Sequence, residues 1–465
     1  MNIEKAVIEF TSNINHAGLN EQIVDERLLY LCLIAVVLIN KVEANAHHAL
    51  LTILLTQTAK TGEFDDLLHN LEKFNFTKRS YYRLYLELIE RLKELDTEKR
   101  KYLLNQSSHY LTLNVIEGIS RTDAVVIYNH TVQRLQQMNV KDKLSDHFIY
   151  QDIPSCFGEL ASKLVNNGKK HKIYDPYALT GEVSIYYSIN SNVELATTET
   201  LVQSSPYIIH MLYITGVENT DSKNSFGLAQ QANIEPAIAD VALTLLDPTS
   251  SKEDEHLQKL DNEPVFSVAD GRIIEGTVPA KFKDHAFIQH LLYSIKEDGT
   301  AIIFLGKGPL HREIEKSARA YLLENNLVDA VIELPAKLIK PRTVSLYALI
   351  LTKGRSNNII KFIDASNCYN PAGRINEISD LDEIAECYHS KNSDLLQSAT
   401  IDVDSIIESG CSLLVSSYLT YSNNSPSRVN VERVRSELFA MQNKTDSILK
   451  TIEKALKNYR GQIEF

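Results

Sequence analysis

Residues 300–366 read TAIIFLGKGPLHREIEKSARAYLLENNLVDAVIELPAKLIKPRTVSLYALILTKGRSNNIIKFIDAS, and this stretch decides the fold. Four runs in it have strand length and are almost continuously aliphatic or β-branched: TAIIFLG (300–306), DAVIELP (329–335), SLYALILT (345–352) and IIKFIDAS (359–366). Runs of that kind suit strands covered on both faces. Moving toward the N-terminus, KIYD (172–175), SNVELAT (191–197) and ADVALTLL (239–246) have the same texture, and helices fit between most of the seven. The pattern predicts an α/β domain over 141–370 with a doubly wound, mostly parallel sheet. In such a sheet ligands bind beyond the carboxyl ends of the strands.

Residues 1–140 differ, with few Gly and Pro, repeated Lys/Glu pairs and apolar positions at helical spacing, as in YYRLYLELIERLKELDTEKRKYLL (81–104). A helical N-terminal domain is expected there. The longest apolar stretch, Leu28 to Ile39, is too short to span a bilayer and reads as a buried helix. Beyond the sheet, the region 371–465 holds a short acidic helix near 379–387 and a hinge, SNNSPS, at 422–427. A long amphipathic helix over 429–460 follows, with Val431, Val434, Leu438, Met441, Ile448 and Ile452 on one stripe. Such a stripe needs a partner surface, in this chain or another.

Composition narrows the function classes. A formal net charge of -12 argues against the whole surface gripping nucleic acid, so any DNA contact is local or supplied by a partner. The five cysteines (Cys32, Cys156, Cys368, Cys387, Cys411) are widely spaced, with no CxxC pair, and indicate neither a disulfide framework nor a zinc site. MNIEKAVIEF carries no secretory pattern, and a cytosolic location is expected.

The segment DHAFIQHLLYS (284–294), followed by Gly308 and Leu310, Leu334-Pro335-Ala336 and Ile363-Asp364-Ala365-Ser366, resembles the second half of the catalytic domain of type I modification subunits. These are N6-adenine DNA methyltransferases of Rossmann-like fold. The resemblance extends more faintly over 147–250 and to SLLVSSYL, ending at 419. It implies S-adenosylmethionine as cofactor, DNA as substrate, and a specificity-type subunit as partner of the C-terminal helix.

Carried over motif by motif, the resemblance is uneven. The family's cofactor loop, Asp-Pro-x-x-Gly-Ser/Thr-Gly, corresponds here to Asp175, Pro176, Tyr177, Ala178, Leu179, Thr180, Gly181, with leucine where the first glycine belongs. Glycine is needed there because the cofactor approaches the backbone too closely for a β-carbon. Glu199 falls where an acidic residue accepts hydrogen bonds from the cofactor ribose, and Gly216 at a later family glycine. The next family carboxylate falls near Asn224-Ser225 and is missing. The catalytic motif, Asn-Pro-Pro-Phe or a relative, supplies acceptors to the adenine amino group, whose lone pair is otherwise delocalised into the ring. An aromatic residue of the motif stacks on the flipped base. Aligned without a gap, Leu245 stands at the catalytic amide. A two-residue slip puts Asp247-Pro248 there instead and leaves Thr249 and Ser250 where proline and the aromatic belong. The family's Tyr-Thr-Pro is blurred to IYQDIP, in which Pro154 matches.

Other constellations carry less. His47-His48 and His285/His290 lie on expected helices without an acidic cluster and read as structural. Lys337, Lys340 and Arg342, with Lys353 and Arg355 after the next strand, form a basic group that is either a phosphate contact or a solvated loop. Three functions stay open: a modification-subunit homologue with impaired methyl transfer that binds DNA or a partner in restriction or phage defence; an active enzyme using Asp247 and Glu199; and a scaffold that binds no nucleotide.

Overall fold

The computed structural model describes residues 3–12, 24–42, 82–112, 118–137, 154–165, 168–178, 180–199, 205–217, 219–223, 237–246, 274, 277–278, 282, 284–339, 343–390 and 396–419. His47-His48, 149–153, Leu179, Asn224-Ser225, Asp247 to Ser250, Lys340, Arg342, the hinge at 422–427 and the helix at 429–460 lie outside the described residues. The chain to Tyr418 forms one compact unit, and Leu419–Phe465 a second.

The first part is helical: α1 (Ile3–Ser12), α2 (Val24–Val42), α3 (Tyr82–Lys93), α4 (Thr97–Thr112) and α5 (Arg121–Gln137). Every residue of α2 from Leu28 to Ile39 is buried, which is why its sequence is apolar all round rather than on one face. Helix α3 shows the ordinary pattern. Leu84, Leu88 and Leu92 face the core, and the partly buried Glu87 and Arg91 pair at 2.9 Å along its margin. No helix among the described residues is long and apolar enough to cross a membrane.

The α/β part continues as α6 (Cys156–Leu164), β1 (His171–Asp175), α7 (Glu182–Asn190), β2 (Val193–Glu199), α8 (Ser205–Thr215), β3 (Asn219–Lys223), β4 (Ala239–Leu245), α9 (Asp284–Ser294), β5 (Ile295–Leu305), α10 (Lys316–Glu324), β6 (Val328–Ala336), β7 (Ser345–Thr352) and β8 (Ile359–Asp364). A small hairpin, β9 (Tyr369–Ala372) and β10 (Ile375–Ile378), precedes α11 (Leu381–His389), β11 (Gln397–Asp402) and α12 (Val403–Glu408). Asp380 caps the acidic helix α11 by accepting the Glu383 N–H at 2.9 Å.

All seven expected strands are present, in a nine-stranded sheet of order β11-β8-β6-β7-β5-β4-β1-β2-β3. Strands β3, β2, β1, β4 and β5 run parallel, as do β6 and β8. Strand β7 runs antiparallel to both its neighbours, and β11 antiparallel to β8. The two unforeseen strands, β3 (NTDSK) and β11 (QSATID), are the edges of the sheet. Covered less than the centre, they lack the aliphatic runs that mark the other seven. Strand order reverses between β1 and β4, so the carboxyl ends of those two strands flank the crevice where this topology places a ligand.

Candidate functional site

The loop after β1 is set by its first residue. Asp175 is 2% exposed; one carboxylate oxygen accepts the Tyr177 N–H at 3.1 Å and the other the Ser184 hydroxyl at 3.0 Å. The side chain thus ties the turn to the first turn of α7. Burial pushes its carboxyl up to about 7, against hydrogen bonds from the Tyr177 N–H, Thr244 and Ser184. Pro176, Tyr177 and Ala178 are also buried. The Ala178 N–H donates to the Glu199 carbonyl at 2.9 Å, and the Tyr177 ring meets Phe287 of α9 edge-on at 5.5 Å. Thr180 donates its hydroxyl to Glu182, and both are buried.

Gly181 ends the loop with φ +81° as the residue before α7. A β-carbon there would lie 2.9–3.2 Å from the side chain of Ile208 on α8. Both the left-handed backbone and the close approach require glycine, and the approaching atoms belong to the protein. Gly216 has an equally local role. At φ +89° it terminates α8, with its own N–H on Tyr213 O and the Val217 N–H on Leu212 O.

Glu199, at the carboxyl end of β2, is 1% exposed. Its Oε1 accepts the Tyr174 hydroxyl at 2.9 Å, and the Tyr174 oxygen lies 2.8 Å from Nε2 of His290. The phenol has one proton, donated to Glu199, so the histidine donates Nε2–H to the phenol oxygen. Strand alternation makes this chain. Tyr174 registers with Thr197, placing it on the face that Glu199 shares, while Asp175 points to the other. His290, read from sequence as lacking an acidic partner, is therefore linked to one through Tyr174. The β1–β2 register that brings them together is not written in either strand alone.

At the tip of β4, Leu245 registers with Phe304 of β5, and the Leu246 N–H donates to Phe304 O at 2.8 Å. Leu245 is 3% exposed and part of the main apolar core; Leu246 is buried beside it. The strand delivers an apolar tip to the crevice. Residues 127–426, well over half of the chain, match the family model described as N-6 DNA Methylase.

The chain belongs to the N-6 DNA methylase family. It is 36% identical over 149 residues to the type I restriction enzyme MpnII methylase subunit of Mycoplasma pneumoniae; the match covers 31% of this chain and 27% of that protein. The chain thus spans little more than a quarter of that curated relative. Its fold is similar to the crystal structure of the type I restriction-modification system methyltransferase subunit from Streptococcus thermophilus, with a TM-score of 0.56 and 18% identity, covering 90% of this chain and 100% of that one.

S-adenosylmethionine is the cofactor this family implies, and the described residues do not fit it. Glu199 and Asp175, which should face the ligand, are buried and bonded to Tyr174, Tyr177 and Ser184. On the side where a β-carbon of Gly181 would stand, the neighbour is Ile208. A cofactor bound through these two carboxylates would compete with hydrogen bonds that the fold itself supplies.

The basic group expected for phosphate divides in two. Lys337 follows β6 at the carboxyl edge of the sheet and is exposed, with φ +59°. Strand β7 returns antiparallel, so Lys353 and Arg355 emerge at the opposite edge. There Lys353 donates to Ile295 O at 2.8 Å, and Arg355 pairs with Asp329 at 3.0 Å. Those two are structural cations that pin strand ends, a correction forced by the direction of a single strand.

Proposed function

We propose that the chain is a modification-subunit-like N6-adenine methyltransferase homologue with an impaired methyl-transfer centre. It is retained as a DNA-associated or partner-binding subunit in restriction-modification or phage defence. Leu245 at the tip of β4 carries this reading. An exocyclic amine conjugated to a purine ring attacks only when acceptors take its hydrogen bonds, and a buried leucine side chain accepts none. The engagement of the Glu199 carboxylate by Tyr174 supports the same conclusion from the cofactor side.

In this reading the DNA contact is local, at the exposed Lys337 and the neighbouring Lys340 and Arg342. The helix expected from sequence at 429–460 docks on a specificity-type subunit, which supplies sequence recognition that an acidic chain does not. Residues 1–140, 141–370 and 371–465 are the corresponding helical, methyltransferase-like and docking regions.

Two assays on the full chain test this. Transfer of labelled methyl groups to duplex DNA is expected at background, while fluorescence anisotropy is expected to show cofactor-independent DNA binding that weakens steeply with salt. Transfer above background that Asp247→Ala abolishes would establish the active alternative. Loss of both transfer and DNA binding would leave a scaffold.

A further inference from the structure

Cys32 on α2, Glu87 on α3 and His210 on α8 are 55 and 123 residues apart in sequence, yet one ligand atom of each lies within 4.8 Å of the others. Cys32 and His210 are fully buried; the Glu87 side chain is 31% exposed, so the cluster is reachable from solvent. We propose that these three residues form a zinc site that fastens the N-terminal helices to the α/β sheet.

Thiolate, imidazole and carboxylate are the donor types that bind zinc, and three protein ligands with a fourth position left to water is a recurrent arrangement. The buried Nε2 of His210 has no hydrogen-bond partner, and it points at Glu87 Oε2 from 3.7 Å. That is too long for a hydrogen bond. It is close to the separation of two ligand atoms bound about 2.0–2.1 Å from one zinc ion.

The surrounding groups orient the ligands. The other nitrogen of His210, Nδ1, lies 2.6 Å from the Tyr128 hydroxyl on α5, and the two rings meet edge-on at 5.9 Å. With Nδ1–H donated to Tyr128, the lone pair sits on Nε2, toward Cys32 and Glu87. Glu87 Oε1 accepts the Arg91 Nε–H at 2.9 Å, leaving Oε2 for the metal. The Cys32 thiol lies 3.7 Å from Leu84 O, its weak acceptor on α3. Metal binding would replace that contact and release the thiol proton to solvent. One thiolate and one carboxylate neutralise the dication, so the site needs no further charge.

A cluster held only by the Glu87–Arg91 ion pair and the His210–Tyr128 hydrogen bond predicts no metal affinity, which makes the alternative easy to separate. Cobalt(II) added to the metal-free full chain is expected to give a near-ultraviolet thiolate charge-transfer band and visible bands of a four-coordinate ion, saturating at one equivalent and displaced by zinc. Cys32→Ser is expected to abolish the charge-transfer band. Glu87→Gln, a milder change at the half-exposed ligand, is expected to weaken binding by about tenfold or more. Cys156→Ser, at the partly exposed cysteine, should leave the band intact. No charge-transfer band in the folded wild-type chain, or a band that survives Cys32→Ser, would overturn the proposal.

Discussion

Gly158→Ala should destabilise the chain by about 3 kcal/mol or more, although the same change at an exposed helix position gains up to about 1 kcal/mol. A β-carbon at Gly158 would sit 2.5 Å from the Val183 carbonyl oxygen, 2.7 Å from Tyr186 Cβ and 2.7 Å from the Tyr187 nitrogen. All three belong to α7, two of them to its backbone, so no side-chain rotation relieves the clash and the two helices must move apart. Helix α7 starts at the Gly181 turn and carries Ser184, which holds Asp175. Parting α6 from α7 therefore disturbs the crevice as well as the core. Urea denaturation is the measurement, and a midpoint equal to or above that of the wild type would refute the packing argument.

Asp175→Asn should do the opposite, and only above about pH 4. The carboxyl is raised from 3.8 to about 7 by burial. Between those values the folded chain holds a proton that the unfolded chain has released, so wild-type stability falls as pH rises from about 4 to about 7. Three pH units correspond to about 4 kcal/mol, an upper bound on the ionisation cost of this group at pH 8. Asparagine keeps the shape and an acceptor for the Tyr177 N–H but has no charge to desolvate. Melting curves of the two proteins should nearly coincide at pH 4 and separate by pH 8, with the variant the more stable. Equal differences at both pH values would mean that the Asp175 carboxylate is not held up by its surroundings.

How legible these features were depended on whether they reside in one segment or in the meeting of several. The seven central strands are readable because strands buried on both faces must be apolar along their whole length, as SLYALILT is. Its direction is not readable, since an antiparallel strand in the middle of a sheet has the same composition, and that hid the removal of Lys353 and Arg355 to the far edge. The edge strands NTDSK and QSATID gave no signal because little of them needs burial. At the site, Leu245 was visible from sequence because its significance lies in its own lack of a polar atom. The Tyr174–Glu199 bond depends on interstrand register, and the Cys32, Glu87 and His210 cluster on the packing of three helices; cysteine spacing alone pointed away from zinc.

In the proposed function the crevice at the ends of β1, β2 and β4 does not perform methyl transfer. Calorimetric titration of S-adenosylmethionine into the full chain, with and without duplex DNA, tests it most directly. The predicted result is no binding heat in either titration. Saturable one-to-one binding, with methyl transfer to DNA that Asp247→Ala removes, would contradict it.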